Sequence, residues 1–196
     1  MAGTLYITGD EDADRLLNTD PLALLLGMLL DQQVPMEWAF KGPSVLRERL
    51  GGHLDAKAIA AMDPEELVAA FLEKPALHRF PGSMARRAYD LCVHLTEQYG
   101  GDAAAVWETA PDGEELFRRL RALPGFGQEK SQIFLALLAK RMGQAPPGWE
   151  RFAGVFADDT PRSVADCTSP ATLAQVREFK RAMKAARRDK QGRPLV

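Results

Sequence analysis

The segment Leu123-Pro124-Gly125-Phe126-Gly127-Gln128-Glu129-Lys130 sets two glycines and a lysine around a turn between two amphipathic segments. Gly125 and Gly127 accept backbone angles that a Cβ resists, positive φ included. They also leave no side chain between the turn and whatever docks on it. The flanking segments, one starting at Asp112 and one at about Gln128, read as helices, so the turn is the hairpin of a helix-hairpin-helix element. The first amides of the second helix have no partner inside it. Together with the positive end of the helix dipole they favour an anion, such as a DNA phosphate. An ordinary turn between packed helices would carry the same glycines, so the pattern by itself is a hypothesis.

Other reactive residue types are sparse. The two cysteines, Cys92 and Cys167, lie far apart with no Cys-x-x-Cys spacing. Four thiolates are needed for an all-cysteine iron–sulfur cluster, so one chain cannot hold one. His53, His78 and His94 show no ligand spacing either, and no metal site is expected. Asp158-Asp159 before Thr160-Pro161 suits turn and capping chemistry. The formal net charge is −2, but base crowds near the end. Arg177, Lys180, Lys184, Arg187 and Arg188 share one helical face, fit to follow a phosphate backbone or to be solvated surface.

These residues must be positioned by helices. A length of 196 residues suits one domain or two small lobes, with a composition typical of a globular chain. Asp20-Pro21 caps and starts an apolar helix to about Asp31. Pro35 restarts a helix that Gly42-Pro43 should kink or break. Asp55, Asp63 and Pro81-Gly82 open further helices, the last running to about Gln98. Residues 143–154, with Pro146-Pro147, read as a loop. Thr160-Pro161 starts a short helix, and Ser169-Pro170 starts the last, reaching about Arg188. Leu5 to Thr8 reads as a short strand or a docked arm. The expected class is all-α, about ten short helices crossing at varied angles. The longest apolar stretch, Leu22 to Leu30, is too short to span a bilayer, and the first residues lack a secretory pattern, so a cytoplasmic, nucleoid-associated protein is expected.

Three segments in order give the chain a family likeness. They are Leu29-Leu30-Asp31-Gln32-Gln33-Val34, the hairpin from Leu123 to Gly127, and Asp158-Asp159-Thr160-Pro161-Arg162-Ser163-Val164. With them the chain resembles the HhH-GPD superfamily of base-excision repair DNA glycosylases, such as endonuclease III and the alkyladenine glycosylases, over about residues 20 to 170. The resemblance implies a single domain over residues 1–196 with the helix-hairpin-helix glycosylase fold. Residues 20–130 would form a central helical lobe, and 1–19 with 131–196 a second lobe across a cleft. It implies a monomer on double-stranded DNA, extruding a damaged or mispaired base. Gln33, or else Gln32, would fill the gap. Leu123, Gly125, Phe126, Gly127, Gln128 and Lys130 would meet the DNA. Asp159, with Asp158 as rival, would stabilise the sugar cation and orient water. Trp149 and Phe152, in an insertion before Asp159, would stand near the base or else cover the core. No organic cofactor is implied, though hairpin carbonyls can hold a monovalent cation.

One departure bears on mechanism. Family members that also cut the backbone carry a lysine two residues after the second hairpin glycine. Here that position is Glu129, and Lys130 is turned from it by about 100°. The expected activity is therefore a monofunctional glycosylase. A glycosylase–lyase using Lys130 and a non-catalytic DNA-binding protein of the same fold are the alternatives.

Overall fold

A computed structural model describes residues 3–194, and within them the chain is all-helical. The helices are α1 (Glu11–Thr19), α2 (Pro21–Leu30), α3 (Met36–Arg49), α4 (Ala56–Ala61), α5 (Pro64–Leu72), α6 (Pro81–Tyr99), α7 (Ala105–Glu108), α8 (Gly113–Ala122), α9 (Gln128–Arg141), α10 (Trp149–Ala153) and α11 (Pro170–Ala185). Short 3₁₀ turns occupy Gly154–Ala157 and Val164–Asp166. The only bridge among the described residues joins Arg188 to Pro194. No described helix is long and apolar enough to cross a membrane.

Two helices organise the core. In α2 every residue from Leu22 to Leu30 is buried, as expected of a helix apolar on all sides. Its Gly27 lets α3 approach, because a Cβ there would stand 2.7 Å from the Phe40 ring. In α9, Ile133 to Leu138 are buried, and Phe134 meets Trp107 and Phe126 edge-on. The helix α6 buries one face, Met84, Ala85, Ala88, Leu91, Cys92 and Leu95, and stops at Gly100 with φ 60°. The buried apolar side chains join into one contiguous cluster.

Several local expectations are corrected. Helix α3 runs unbroken through Gly42-Pro43. Both residues are buried, and a Cβ on Gly42 would meet Leu30 at 2.6 Å. Packing against α2 thus outweighs the hydrogen bond that proline removes. The expected loop 143–154 contains α10, because Gly113 offers no side chain and the Trp149 backbone lies 2.5 Å from where its Cβ would be. Thr160-Pro161 opens no helix. The turn there starts instead at Ser163, whose side chain forms a capping box with Asp166. Helix α11 ends at Ala185 rather than Arg188. Residues 5–8 form an arm, not a strand, held by the Tyr6 amide donating to the Cys167 carbonyl (2.9 Å) and by Asn18 and Asp14. Although the arm reaches the C-terminal part, α1 packs mainly on α2 and α3.

Candidate nucleic-acid interface

Helix starts fall into two groups. Among helices of eight or more residues, α1, α2, α5, α8 and α11 are capped by the side chains of Asp10, Asp20, Asp63, Asp112 and Ser169. Helices α3, α6 and α9 begin at Pro35, Phe80 and Gly127 with no side-chain cap. All three uncapped starts surround one loop, residues 31–35. Helix α3 begins directly from it. Helix α6 is tied to it by His78, whose Nε2 donates to the Gln32 carbonyl (2.9 Å) while its Nδ1 accepts the Phe80 amide (3.0 Å). Helix α9 is tied to the last turn of α2, just before the loop, by Lys130, whose Nζ donates to the Leu29 carbonyl (2.8 Å). Three uncapped helix starts therefore lie around the end of α2 and the loop that follows it, each with amides left over.

The hairpin has the expected geometry, with a different division of labour among its side chains. Gly125 takes φ 81° and is exposed; a Cβ would lie 2.4 Å from Leu29 Cδ1. Gly127 faces open space, with no atom near a built Cβ. The amides of Gln128, Glu129 and Lys130 meet no acceptor among the described residues, the first bond being Ser131 to the Gly127 carbonyl at 3.0 Å. Leu123 and Phe126, expected at the DNA, are buried at 2% and 5% exposure. Their apolar side chains anchor the turn in the core, and only the backbone and Gln128 face outward.

The loop separates the two wedge candidates. Gln32 is tethered: its carbonyl holds His78 and its Oε1 accepts from Arg87 (2.7 Å). Gln33 is exposed, makes no hydrogen bond among the described residues, and sits at φ 57°. A non-glycine residue in that region is strained, and such strain clusters at functional sites. Beside it lies a cavity of about 210 Å³ lined by Gln32, Gln33, His78, Phe80, Ser83 and Arg87 among others. Burial holds the His78 pKa below its ordinary value, consistent with the neutral ring these hydrogen bonds require.

Below the hairpin is a partly buried lysine cluster. Burial pushes Lys130 down to about 8, aided by Lys190 and Arg87 and opposed by the Asp31 charge. Lys180 is also lowered, first by burial, and it too feels Asp31. Lys190 and Gln191 fold back over the first turn of α9. There Lys190 Nζ lies 3.7 Å from Glu129 Oε1, and Gln191 Nε2 lies 3.5 Å from Glu129 and 3.4 Å from Gln132.

Asp159 is not part of this cluster. The carbonyl of Asp158 accepts from Lys140 Nζ (2.7 Å), near the C-terminal end of α9. Twelve residues of helix, roughly 18 Å at ~1.5 Å each, separate Lys140 from Gln128. The Asp158 carboxylate pairs with Arg162 (2.5 Å) and accepts the Thr160 amide, while Asp159 is exposed. The Asp158 anchor thus ties Asp159 to the C-terminal end of α9, while the carboxylates near its first turn are Glu129 and Asp31. Trp149 and Phe152 pack as core residues, the second of their two expected places. The Trp149 backbone packs on Gly113, and the Phe152 ring stacks on Phe117 at 5.9 Å. They cover the core of the α8–α10 unit.

Two aromatics that the sequence did not single out are exposed. Phe80 is 45% exposed beside Gln33, under the Arg79 guanidinium, and Trp38, in the first turn of α3, is 42% exposed. The signal was present for Phe80, since Pro81 after it fixes a helix start whose first side chain points off the helix. Comparison with known proteins finds no family model that matches the chain and no curated relative.

Proposed function

We propose that this protein is a DNA glycosylase of base-excision repair that grips duplex DNA at the hairpin and extrudes a damaged or mispaired base beside Gln33. One observation carries the reading: three uncapped helix starts converge on a loop whose exposed tip residue is held in a strained conformation. Phosphates would accept from the amides of residues 127–130, and Arg87 and Lys130 add charge. Extrusion leaves a gap that Gln33 is long enough to fill while its amide satisfies the orphaned base. A carboxylate near the sugar carbon then stabilises the developing cation.

The acid for that step is best sought near the hairpin. Duplexes carrying alkylated, deaminated or oxidised bases are incubated with the protein and scored for abasic sites by alkaline cleavage. Asp31→Asn or Glu129→Gln is expected to abolish base release, and Asp159→Asn to retain it. Loss of release only in Asp159→Asn would return the catalytic role to that residue. Salt-sensitive duplex binding with no base release from any lesion would leave a non-catalytic DNA-binding protein.

The state of Lys130 favours a second reading, in which glycosylase and lyase activities coexist. Its amine is partly buried near the hairpin and deprotonates at about 8, which suits a Schiff-base nucleophile. Borohydride trapping on abasic DNA would then yield a covalent complex. Trapping would rise as the pH increases through about 8, since only the neutral amine attacks, and it would vanish in Lys130→Met.

A further inference from the structure

Between α3 and the segment that follows α5 lies an apolar pocket of about 270 Å³, lined by Trp38, Val45, Pro75, Ala76 and Leu77, with Lys41 as its one charged residue. Trp38, Lys41 and Val45 share one side of α3 by the three-to-four spacing. Trp38 is exposed, and so is Leu72 at the end of α5. Large apolar side chains gathered at the surface mark a place of interaction.

The pocket is preformed. The buried Arg49 side chain holds the segment to α3: its Nη1 donates to the Ala70 carbonyl (2.7 Å) and its Nη2 to the Pro75 carbonyl (2.8 Å). The Leu77 amide donates to the Phe71 carbonyl (3.1 Å). Walls fixed in this way lose little freedom when something binds. The volume falls below the ~300–1,000 Å³ typical of whole small-molecule ligands, so it suits one or two side chains of a longer chain. The charges around the pocket are unbalanced toward positive. The acids that flank its walls in sequence, Glu37 and Glu73, are paired with Arg177 and Arg49. Lys74 and Arg79 are exposed and meet no carboxylate among the described residues. Lys41 shares the half-exposed Asp10 (2.9 Å); an exposed pair of this kind is worth little, so Lys41 is free to turn to an incoming carboxylate.

We infer that this pocket docks an acidic segment of a partner protein, one that carries a bulky apolar residue flanked by aspartates or glutamates. The apolar side chain enters against Val45 and Leu77 beside Trp38, and the flanking carboxylates meet Lys41, Lys74 and Arg79. A tryptophan at the centre of the contact supplies affinity, and the cations around it speed encounter and exclude basic chains. A nucleic-acid strand is the poorer fit, because base edges would find few hydrogen-bond partners in an aliphatic lining. The inference does not depend on the DNA reading above.

The test uses the full chain and arrays of short peptides, each with a pair of leucine, isoleucine or phenylalanine residues between acidic flanks. Matched arrays replace the flanks by lysine or the apolar pair by serine. The acidic–apolar array is expected to retain the protein and the other two to release it. The best peptide, labelled with fluorescein, is then titrated by anisotropy. Trp38→Ser is expected to weaken it about ten-fold or more, and Lys74→Glu about three- to five-fold with a flatter salt dependence. Both side chains are exposed, so the fold should be kept, as circular dichroism checks. In the wild type the Trp38 indole resonance, assigned with Trp38→Phe, should shift on titration while those of Trp107 and Trp149 stay in place. Release of every acidic peptide, equal retention by the lysine-flanked array, or an affinity unchanged in both variants would overturn the site. A labelled single-stranded oligothymidine that displaces the peptide, and is itself lost in Trp38→Ser, would overturn it in favour of nucleic acid.

Discussion

The two ends of α9 are built on opposite plans. At the C-terminal end polar groups are closely paired. Lys140 meets the Asp166 carboxylate (2.5 Å) and the Asp158 carbonyl, Arg141 meets the Ala165 carbonyl (2.6 Å), and Asp166 also closes the Ser163 capping box. At the N-terminal end the amides of residues 128–130 take no acceptor among the described residues, and Lys130 is partly buried against a single carbonyl. Saturation of hydrogen bonds marks a structural joint, because each leftover buried group is costly. An end left unsatisfied at the surface is suited to a ligand that completes it. The Asp158–Arg162 segment, with its aspartates and arginine, looks reactive as text and is a joint in space.

The sharpest way to break this contrast is to remove Asp166. Its exposure is 6%, and that of the Lys140 side chain is 11%. Asp166→Ala is expected to cost about 3–5 kcal/mol, since it strands a buried cation, measurable as a lower urea midpoint. Duplex affinity of the folded fraction should be unchanged. A loss of binding without a loss of stability would exchange the roles of the two ends.

Next comes Gly125→Val, where a Cβ would meet Leu29 at φ 81°. A stability loss of roughly 1–3 kcal/mol is expected from strain and overlap, with weaker DNA binding. Gly127→Asp should behave in the reverse sense on one axis. The site is open and its backbone is extended (φ −78°, ψ 179°), so the aspartate caps α9 as its neighbours are capped. Thermal stability should rise by a few tenths of a kcal/mol, while duplex affinity falls about ten-fold or more as the anion site acquires its own carboxylate. Stability and binding moving in the same direction would refute the anion-site reading.

Acidification probes the loop that joins the open ends. The His78 pKa is lowered in the fold, so the unfolded chain binds more protons below its ordinary value of about 6.5. The stability contributed by neutral His78 is present above that pH and lost as pH falls below it. Melting curves between pH 7.5 and 5.5 should show a decline that flattens in His78→Gln. The smallest effect is expected for Gln33→Gly, which relieves φ 57° and should alter stability by less than about 1 kcal/mol, yet reduce the yield of abasic sites scored by alkaline cleavage.

Much of the helical order was legible because its signals are local. Asp20-Pro21, Asp63-Pro64 and Ser169-Pro170 each open a helix where expected. Pro43 misled because its cost is local and its compensation, Gly42 seated on Leu30, is tertiary. Helix α10 was invisible because five residues carry little periodicity and their position depends on Gly113, thirty-six residues before Trp149. For the site, the hairpin and Gln33 could be read from turn chemistry and residue type. The separation of Asp159 from the hairpin could not be, since the path of the chain after α9 is decided by Lys140 and Arg141 holding carbonyls far along the sequence. The basic face of α11 was half visible: Arg177 and Lys180 were assigned to one face, but its place against residues 34–37 is a property of packing.

Aspartate at the helix starts has a consequence for the electrostatic field. Asp10, Asp20, Asp55, Asp63 and Asp112 each sit on a positive dipole end, which muffles part of the acidity counted in the formal charge of −2. On α11, Arg177 is paired with Glu37, while Lys180, Arg181 and Lys184 form no ion pair among the described residues. A polyanion at a distance therefore meets a molecule more lopsided than its arithmetic suggests, and one able to turn it toward the open side before contact.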